Sequence, residues 1–440
     1  MPEGGFLFEK IKKKSILFLV GYLIVLVAVL IWKLNDGKTV FIAGKTYPAD
    51  STSFTVTDPD FDYSRLARFH SLQSVDVTAM KVEEEQYQRI RAQLGEPIEI
   101  LWNVPFNGDR LPSNTTELHI TSEPGETDVS LLSYFTHLTD VTVNYMDSFE
   151  KLYSIMKVIR ETNPDVRFQC STCLYGVPLD SSTESLILND IPIPDTDTLC
   201  RAIEVFPLLQ KIEMCGCGLS DEVMGQLRET YPSVEFVWTV HFLHFDVRTD
   251  AQVFSTLALD YSRPGDSETF APLFRYCTEL RALDLGHMRI TDISEIRNLK
   301  KLHTLILADN RISDISPLAD LKELNYIELF QNDISDISPL LELPHLEDLN
   351  FCYNPNLQNP TSITQCMTLK RLYYSHCHIY QKDIATIQQD LPSDCEFNWT
   401  ADNCVYDGWR NNDKNKMIRK AFKNWRKVKE YTSWDNIVYK

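Results

Sequence analysis

The sequence has little positive charge for its length and lacks the motifs of familiar enzymes. Its 440 residues include 43 lysines and arginines against 62 aspartates and glutamates, a formal net charge of -19. A chain this acidic repels phosphate backbones, so we expect no nucleic-acid partner. No Gly-x-Ser-x-Gly, His-Glu-x-x-His or paired-acid signature occurs. No catalytic residue can be nominated, and we expect a protein that is not an enzyme.

Phosphate-loop and metal-ligand patterns are incomplete as well. Residues 44–46 read Gly-Lys-Thr, like the end of a phosphate loop, but Thr39 stands where such a loop needs its first glycine. Cys170 and Cys173 have zinc spacing, yet the only other close pair lies inside a repeat described below. We therefore expect no metal and no cofactor. The two cysteines are interpreted as buried or surface thiols, or alternatively as a local disulfide.

The cysteine count excludes a fully paired disulfide framework, because eleven is an odd number. Cys217 and Cys377 occupy repeat positions that are expected to face the core, so both are predicted to be core thiols. Cys395 and Cys404 are candidates for a disulfide at the C-terminal end of the repeats.

Charge is absent from one long run, residues 16–32 (ILFLVGYLIVLVAVLIW). A helix of this length spans roughly 25 Å, and Ser15 and Lys33 extend it towards a full bilayer crossing. Four lysines precede the run and fewer follow closely, which predicts a single-pass cell-membrane protein with a cytoplasmic N-terminus and an extracytoplasmic body. The alternative is a cleaved signal peptide, although no small-x-small cleavage site follows the run.

A unit of 22 residues recurs in the C-terminal half, and the heptapeptide ISDISPL occurs at residues 312–318 and again at 334–340. Three regular copies and two looser ones begin at Leu280, Leu302, Leu324, Leu346 and Leu369. Their shared opening follows the pattern L-x-x-L-x-L-x-x-N-x-I, which the unit beginning at Leu302 matches at every position. Its alternation predicts a short strand whose leucines face a core, and the fixed spacing predicts copies that pair in a parallel sheet.

The asparagine of this pattern is expected to form hydrogen bonds with backbone groups that become buried. The chain must turn inward after each strand, and this turn buries peptide groups that a side-chain amide can satisfy. The residues at this position are Asn310, Asn332, Asn354 and, in the fifth unit, Cys377. We predict a ladder of stacked asparagines with cysteine as a weaker substitute. Pro317 and Pro339 are predicted to start tight helical turns on the opposite side.

A longer repeat has the order strand, helix, proline, strand. Its four copies begin at Leu72, Leu138, Leu209 and Leu369 and contain Pro97, Pro164, Pro232 and Pro392, respectively. Their helical segments show apolar spacings of three and four residues. Isolated strand openings are predicted at residues 53–56, 117–120, 185–188 and 256–259.

The 22-residue units resemble the leucine-rich repeats of bacterial internalin-like surface proteins, and the longer units resemble the ribonuclease-inhibitor-like class. This resemblance implies an α/β leucine-rich repeat solenoid over about residues 50–400, with a curved parallel sheet on the concave side and helices and turns on the convex side. The apolar run at residues 16–32 additionally predicts one N-terminal transmembrane helix. The expected divisions are a basic cytoplasmic N-terminus (1–14), the transmembrane helix (15–33), a linker (34–49), long repeats (50–278), 22-residue repeats with the last long repeat (279–400), and a capping helix with a basic tail (401–440).

The tail contains an amphipathic helical pattern. Its apolar stripe consists of Ile418, Ala421, Phe422, Trp425 and Val428, and lysines and arginines flank it. One interpretation is a helix that caps the exposed core of the last repeat. The other is a basic element that binds anionic polymer or lipid headgroups. Both hold if the stripe faces the repeats and the lysines face outward.

Candidate partner-binding residues alternate with the core leucines along the strands. Aromatic side chains stand beside acidic ones there, a combination typical of contact surfaces. The candidates are Asp284, Tyr326, Glu328, Phe330, Asp348, Tyr353, Arg371 and Tyr373. Alternatively, some of them only stack on one another along the sheet. If they bind, the chemistry favours a protein, a peptide or a basic partner.

The expected function is therefore a membrane-anchored extracytoplasmic recognition module that binds a protein or peptide through its concave sheet. The alternative is a non-enzymatic structural or regulatory scaffold that docks another membrane or cell-envelope protein. Both expectations rest on analogy of fold, since leucine-rich repeats bind many kinds of partner.

Overall fold

The computed structural model describes residues 20, 22–27, 29, 37–256, 267–400 and 408–424. Most of the predicted span at 15–33 lies outside the described residues; Val20, residues 22–27 and Val29 are helical with exposed side chains. Over the ranges just given, no helix combines the length and apolar character needed to cross a bilayer. The N-terminal basic residues, Cys404, the strand opening after Thr256 and tail residues 425–440 also lie outside the described ranges.

Short strands dominate the described chain. They are β1 (Thr39–Ile42), β2 (Lys45–Pro48), β3 (Ser53–Thr55), β4 (Ser74–Asp76), β5 (Glu99–Leu101), β6 (Asn103–Phe106), β7 (Asp109–Pro112), β8 (Glu117–Ile120), β9 (Asp140–Met146), β10 (Arg167–Leu174), β11 (Val177–Asp180), β12 (Ser185–Ile187), β13 (Lys211–Glu213), β14 (Glu235–Val237), β15 (Thr239–Phe242), β16 (Phe245–Arg248), β17 (Val253–Ser255), β18 (Ala282–Asp284), β19 (Thr304–Ile306), β20 (Tyr326–Glu328), β21 (Asp348–Asn350), β22 (Arg371–Tyr373) and β23 (Glu396–Asn398).

Helices connect many of these strands. From residue 37 onward the α-helices are α1 (Glu84–Leu94), α2 (Glu126–Leu131), α3 (Phe149–Thr162), α4 (Asp197–Val205), α5 (Asp221–Thr230), α6 (Ser267–Tyr276), α7 (Gln381–Asp390) and α8 (Asp413–Lys423). The short 3-10 helices are Tyr63–Arg68, Leu132–Tyr134, Ser294–Asn298, Ser316–Asp320, Ser338–Glu342, Pro360–Gln365 and Trp409–Asn411.

The chain divides into two compact units. The first consists of Met1–Ser182 with Asp197–Pro207 and contains the parallel sheets β3-β4-β5 and β8-β9-β10, the second of which is extended by antiparallel β11. The second consists of Thr183–Thr196 with Leu208–Lys440 and contains the parallel sheets β12-β13-β14 and β17 to β23. One continuous curved solenoid across residues 50–400 stays a prediction.

The predicted repeats are present as local structure. Each long unit has its strand, helix, proline and second strand in the expected order, as in β13, α5, Pro232 and β14. In the 22-residue units the central strand residue, such as Leu305, is fully buried. Pro317 lies in the first turn of the 3-10 helix Ser316–Asp320, as its fixed φ favours.

The asparagine ladder is confirmed. Asn332 Oδ1 accepts from the backbone N–H of Ile312 at 3.0 Å, and its Nδ2 donates to the carbonyls of Leu307 at 2.9 Å and Leu329 at 3.2 Å. Asn332 thus satisfies peptide groups of its own unit and of the preceding one. The same arrangement recurs at Asn310 and Asn354.

Cysteine replaces asparagine at two ladder positions, and both predicted core thiols are confirmed. Cys377 Sγ lies 3.2 Å from the carbonyl oxygen of Phe351, and Cys217 Sγ lies 3.1 Å from that of Leu188. Burial raises the pKa of Cys377 to about 12 and that of Cys217 to about 11. These thiols therefore stay protonated at neutral pH and are poor nucleophiles.

The Cys170–Cys173 pair is not a disulfide. Both side chains are thiols on β10, Cys170 buried and Cys173 half-buried, which agrees with the thiol interpretation. Cys395 is also a thiol, and its candidate partner Cys404 lies outside the described residues.

Four antiparallel hairpins, which were not predicted from the sequence, recur along the chain. Their first paired residues are Thr39, Asn103, Ser171 and Thr239, about 64 to 68 residues apart. The first hairpin turns at Ala43 and Gly44, which have φ of 47° and 81°. Residues 44–46 are therefore the turn and return strand of a hairpin, with no helix following them as a phosphate loop requires.

A hydrogen-bonded clamp closes the base of three of these hairpins. The residue before the hairpin donates its N–H to a hydroxyl eleven positions later, as Trp102 does to Ser113 Oγ at 3.2 Å. Ser113 returns a backbone N–H to the carbonyl of Trp102 at 2.8 Å. The equivalent pairs are Cys170 with Ser181 and Trp238 with Thr249.

The ladder predicts graded effects of substitutions at Asn332. Asn332→Leu leaves the buried N–H of Ile312 without its acceptor and removes one of two amide donors from the carbonyls of Leu307 and Leu329, which keep Asn310 and Asn354. It is expected to lower the free energy of unfolding by about 1–3 kcal/mol. Asn332→Cys retains a thiol donor of the kind seen at Cys377, so we expect about half that loss. Urea unfolding of both variants, beside the exposed control Asp333→Ala, measures the difference. Equal losses for leucine and cysteine would contradict a hydrogen-bonding role.

Candidate functional site

Strand register aligns two rows of side chains on the sheet face opposite the leucine core. We call this surface, which covers β17 to β23, the outer sheet face. The first row is Val253, Ala282, Thr304, Tyr326, Asp348, Arg371 and Glu396, and the second is Ser255, Asp284, Ile306, Glu328, Asn350, Tyr373 and Asn398. From β17 to β22 every member of both rows is buried. Something other than solvent therefore covers this face.

The cover is the chain's own residues 408–424, which we call the C-terminal segment. It contains the 3-10 helix Trp409–Asn411 and α8, which is amphipathic. Its buried apolar residues form one cluster with side chains of the outer sheet face. The segment's members of that cluster are Trp409, Ile418, Ala421 and Phe422, and those of the sheet include Val253, Ala282, Ile306, Tyr326 and Tyr373.

The predicted tail helix is thus present, and the described part of its apolar stripe is buried. Its position differs from the expected one, because the helix lies across the sheet and not against the open edge of the last strand. The reason is chemical complementarity. The segment carries six basic residues and one acidic residue, and the outer sheet face presents carboxylates between apolar side chains.

Trp409 is the aromatic anchor of the segment and is fully buried. Its ring centre lies 5.3 Å from that of Tyr326 and 5.2 Å from that of Tyr373. The Arg371 guanidinium lies 4.0 Å from the indole centroid, a cation–π contact, and donates to the Trp409 carbonyl at 3.2 Å. Gly408 precedes the anchor with φ 97°, and a Cβ there would collide with Tyr373 Oη.

Ion pairs fix the segment beside this anchor. Lys414 Nζ lies 2.6 Å from Asp348 Oδ2 and 3.5 Å from Glu347 Oε2. Arg371 Nε lies 2.9 Å from the other oxygen of Asp348, so two cations share one carboxylate. Arg410 Nη2 lies 3.4 Å from Glu328 Oε2. These groups are largely shielded from water, so the pairs are stronger than those on an open surface and more costly to leave half-made.

A second polar contact joins Asn415 to the middle of the sheet. Asn415 Nδ2 donates to Tyr326 Oη at 2.6 Å, and Tyr326 in turn donates to Glu328 Oε1. Burial, reinforced by the neighbouring Glu328 carboxylate, raises the pKa of Tyr326 well above its ordinary value. The phenol therefore remains a proton donor at every physiological pH.

Asp284 is a buried carboxyl in the second row. Its Oδ1 accepts from the Gly286 N–H at 3.1 Å and its Oδ2 accepts from Ser255 Oγ at 3.0 Å. Burial nevertheless raises the pKa of this carboxyl, since two neutral donors do not replace its hydration.

The structure brings together most of the eight predicted partner-binding residues. Six are buried beneath the C-terminal segment: Asp284, Tyr326, Glu328, Asp348, Arg371 and Tyr373. The other two, Phe330 and Tyr353, are partly buried beside them, with ring centres 5.3 Å apart. Tyr353 also stacks on His376 at 4.1 Å, so stacking along the sheet does occur at this edge. Binding of a partner by these eight residues stays a prediction.

Sequence reasoning missed the residues that bind the outer sheet face from the segment. All four precede Ile418, the first residue of the apolar stripe, so periodicity alone did not select them: Trp409, Arg410, Lys414 and Asn415. The available signal was electrostatic, namely a basic helix in a chain whose predicted sheet face is acidic.

Hydrogen bonding at this interface is incomplete. Within the described part of the outer sheet face and the segment, four buried side-chain atoms form no hydrogen bond to another protein atom: Asn350 Nδ2, Arg371 Nη2, Trp409 Nε1 and Asn415 Oδ1. Each such atom costs about 1–3 kcal/mol relative to a satisfied one. The segment therefore matches the face well in shape and charge but satisfies its hydrogen-bonding groups less completely.

A separate cleft of about 680 Å³ lies in the second unit, beside β12 to β14. Its cations are held by the chain itself: Lys211 lies 3.3 Å from Glu235, and Arg228 stacks over the Trp238 ring at 4.3 Å. Within the described ranges, no three His, Cys, Asp or Glu side chains converge as a metal site. The outer sheet face is therefore the stronger candidate.

Comparison with known proteins supports the repeat assignment. A family model described as leucine-rich repeats, in two copies, matches residues 278–320. These residues contain the first regular 22-residue unit (280–301) and all but the last three residues of the second (302–323). No curated protein matches the sequence.

Several solved structures are similar at low identity. An internalin (inlF) of Listeria monocytogenes shares 16% identity over 82% of this chain and 91% of that one, with a TM-score of 0.25. A leucine-rich repeat protein of Leptospira interrogans shares 15% over 76% and 92%, with a TM-score of 0.27. The Arabidopsis receptor kinase HAESA shares 13% over 78% and 42%, with a TM-score of 0.20. At these scores the likenesses carry no argument about function.

The buried carboxyl predicts a pH dependence. Because the pKa of Asp284 is raised above its reference value of 3.8, its contribution favours folding below that value and is lost as the pH rises through the folded-state pKa. Asp284→Asn cannot ionise and should gain stability relative to the wild type as the pH rises from about 4 to about 8. Urea unfolding across this range tests it, with exposed Asp333→Asn as control. A constant difference would contradict the prediction.

The aromatic anchor predicts a local effect. Trp409→Ala removes the ring from three contacts and should weaken docking of the segment by about 3 kcal/mol or more. Amide hydrogen exchange in α8 should then be on the order of a hundred times faster, while exchange in β19 changes little. Tyr380→Ala, at an exposed tyrosine, is the matched control. Unchanged exchange in α8 would mean that Trp409 is not the anchor.

Proposed function

We propose that this leucine-rich repeat protein is a membrane-anchored, extracytoplasmic recognition module that binds a protein or peptide through the outer sheet face. The observation that carries the proposal is the way this face holds a helix. It accommodates a buried indole, a lysine and an arginine on side chains contributed by β20, β21 and β22. Such a surface is built for a polypeptide and has no feature that selects a small molecule.

The composition of the face supports a macromolecular partner. Tyrosine, tryptophan and arginine are the residues that dominate binding energy at protein interfaces, and Tyr326, Tyr373 and Arg371 lie together here. The neighbouring carboxylates Glu328, Glu347 and Asp348 favour a cationic partner and speed its association. No catalytic activity is part of this proposal, because the buried carboxylates Glu328 and Asp348 are engaged in ion pairs.

Membrane anchoring rests on the sequence. The charge-free run at residues 16–32 and the lysines before it support one crossing with the repeats on the extracytoplasmic side. The outward side of α8 also carries three exposed lysines, Lys416, Lys420 and Lys423. On the extracytoplasmic side these lysines favour an additional contact, with an anionic polymer or with lipid headgroups. In the scaffold alternative, the same body docks a neighbouring membrane or envelope protein and is shielded by it.

Protease accessibility on cells tests the topology. Trypsin added to intact cells that express the chain should release peptides from residues 50–440, because these lie outside, whereas an epitope tag placed before residue 1 should survive. Mass spectrometry identifies the released peptides. Cleavage of residues 50–440 only after the membrane is opened would refute an accessible extracytoplasmic module and favour the shielded scaffold.

A further inference from the structure

We propose that the C-terminal segment occupies the outer sheet face as an intramolecular ligand, and that the face's partner is a cationic helical segment with one aromatic anchor, which binds by replacing it. This inference rests on the proposed function, since it names the chemistry of the partner for the same face. Three observations carry it: the contacts are those of a ligand in a site, the polar fit is incomplete, and the charges define what else can bind.

The contacts are concentrated at a few side chains of the segment, as in peptide recognition. One indole fills a site bordered by Tyr326, Tyr373 and Arg371, and one lysine reaches the Asp348 and Glu347 carboxylates. The remaining contacts are apolar and come from one side of α8. This arrangement of an amphipathic helix with spaced anchors on a groove-like surface is a common mode of peptide binding.

The segment crosses the sheet and does not continue the repeats. The Trp409 end lies over β20 to β22, and α8 reaches β17 at its other end. A helix of eleven residues is roughly 16 Å long, and neighbouring strands lie about 4.8 Å apart, so α8 spans several strands. No backbone pairing links the segment to the sheet within the described residues. Apart from the hydrogen bond from Arg371 to the Trp409 carbonyl, its attachment depends on side chains, which a competing peptide can also supply.

The incomplete hydrogen bonding favours replacement. Asn350 Nδ2 and Arg371 Nη2 on the face are buried donors that the segment does not engage, and Asn415 Oδ1 on the segment is a buried acceptor without a donor. A partner that offers acceptors to Asn350 and Arg371 gains interactions that the C-terminal segment lacks. The segment thus excludes weak ligands and is displaced by a ligand that forms more hydrogen bonds with the face.

Charge restricts the partner to a cationic one. Removal of the segment would take Arg410 from Glu328 and Lys414 from Glu347 and Asp348. Glu347 and Asp348 would keep one cation each, Lys370 and Arg371, and Glu328 would lose the cation that pairs with it. Uncompensated carboxylates at a partly dehydrated surface are unfavourable, so an acidic or neutral peptide cannot take the place of the segment.

The experiment uses the full-length chain purified in detergent and a fluorescein-labelled synthetic peptide with the sequence of residues 408–424. Lys414→Glu places a carboxylate against Asp348 and Glu347, and Gly408→Ala strains the backbone beside Tyr373; both loosen the segment and leave the face intact. The matched control is Lys416→Glu, which makes the same charge change at an exposed lysine whose one ion pair within the described residues is with Asp413.

Both loosened variants should bind the peptide at least tenfold more tightly than the wild type, in which the tethered segment competes at high effective concentration. Lys416→Glu should behave as the wild type. A scrambled peptide of the same composition, and a peptide with Trp→Ala at its second position, should each bind at least tenfold more weakly. Anisotropy measures binding, and hydrogen exchange in α8 verifies that the segment is loosened in a folded chain.

Two binding results overturn the proposal: loosened, folded variants that bind the peptide no better than the wild type, or equal binding of the scrambled peptide. Unchanged exchange in α8 of both variants would also overturn it, because the segment would then be a fixed part of the fold. Peptide binding together with protection from trypsin on intact cells would refute the proposed location and leave the inferred partner chemistry in place.

Discussion

The turn that follows each strand is the constraint on which the second unit depends. It folds the chain inward and buries peptide groups that no neighbouring strand can reach, so one side chain per repeat must satisfy them. Asparagine does this with two donors and an acceptor, and Asn332 bonds both to its own unit and to the one before. This geometry fixes the register of successive strands, and the register in turn fixes which side chains share a row across the sheet. The same register places the leucines behind the strands, where they pack together as the core.

Aligned rows have an electrostatic consequence. Carboxylates contributed by separate repeats, such as Glu328 and Asp348, lie on adjacent strands of one face. Their self-repulsion is relieved by cations from a distant part of the chain, and the aromatic side chains between them hold the segment that delivers those cations. The acidic face and the basic segment therefore have to be understood together. Each would be a poorly soluble or poorly folded surface if the other were absent, because one would expose a carboxylate-lined apolar sheet and the other an apolar helical stripe.

Much of the local architecture could be predicted from the sequence, because strands, asparagine turns and proline-started helices are encoded within single repeats. Spacing alone correctly predicts the buried position of Leu305, the ladder position of Asn332 and the helix-starting position of Pro317. The hairpins were not predicted, since only Asn107-Gly108 carries a strong turn signal and Tyr175-Gly176 or Leu243 does not. The candidate face residues were located by the same alternation, but their burial was not foreseen. Their burial depends on contacts between residues as far apart in sequence as Tyr326 and Asn415. The spacing of residues within a repeat does not show which distant residues will be in contact.

The clamps at the base of the hairpins have a consequence for how the chain can vary. In Trp102 with Ser113, and in its two counterparts, the ends of the hairpin are hydrogen-bonded to each other, so the strand entering and the strand leaving meet at a fixed point. In the hairpins that follow Trp102 and Trp238, the residues between these ends form a separate two-stranded sheet and do not join the parallel ladder. An exposed position at a tip, such as Leu243, can therefore change in sequence without disturbing the repeats. The hairpins are places where related chains can diversify while the scaffold stays constant.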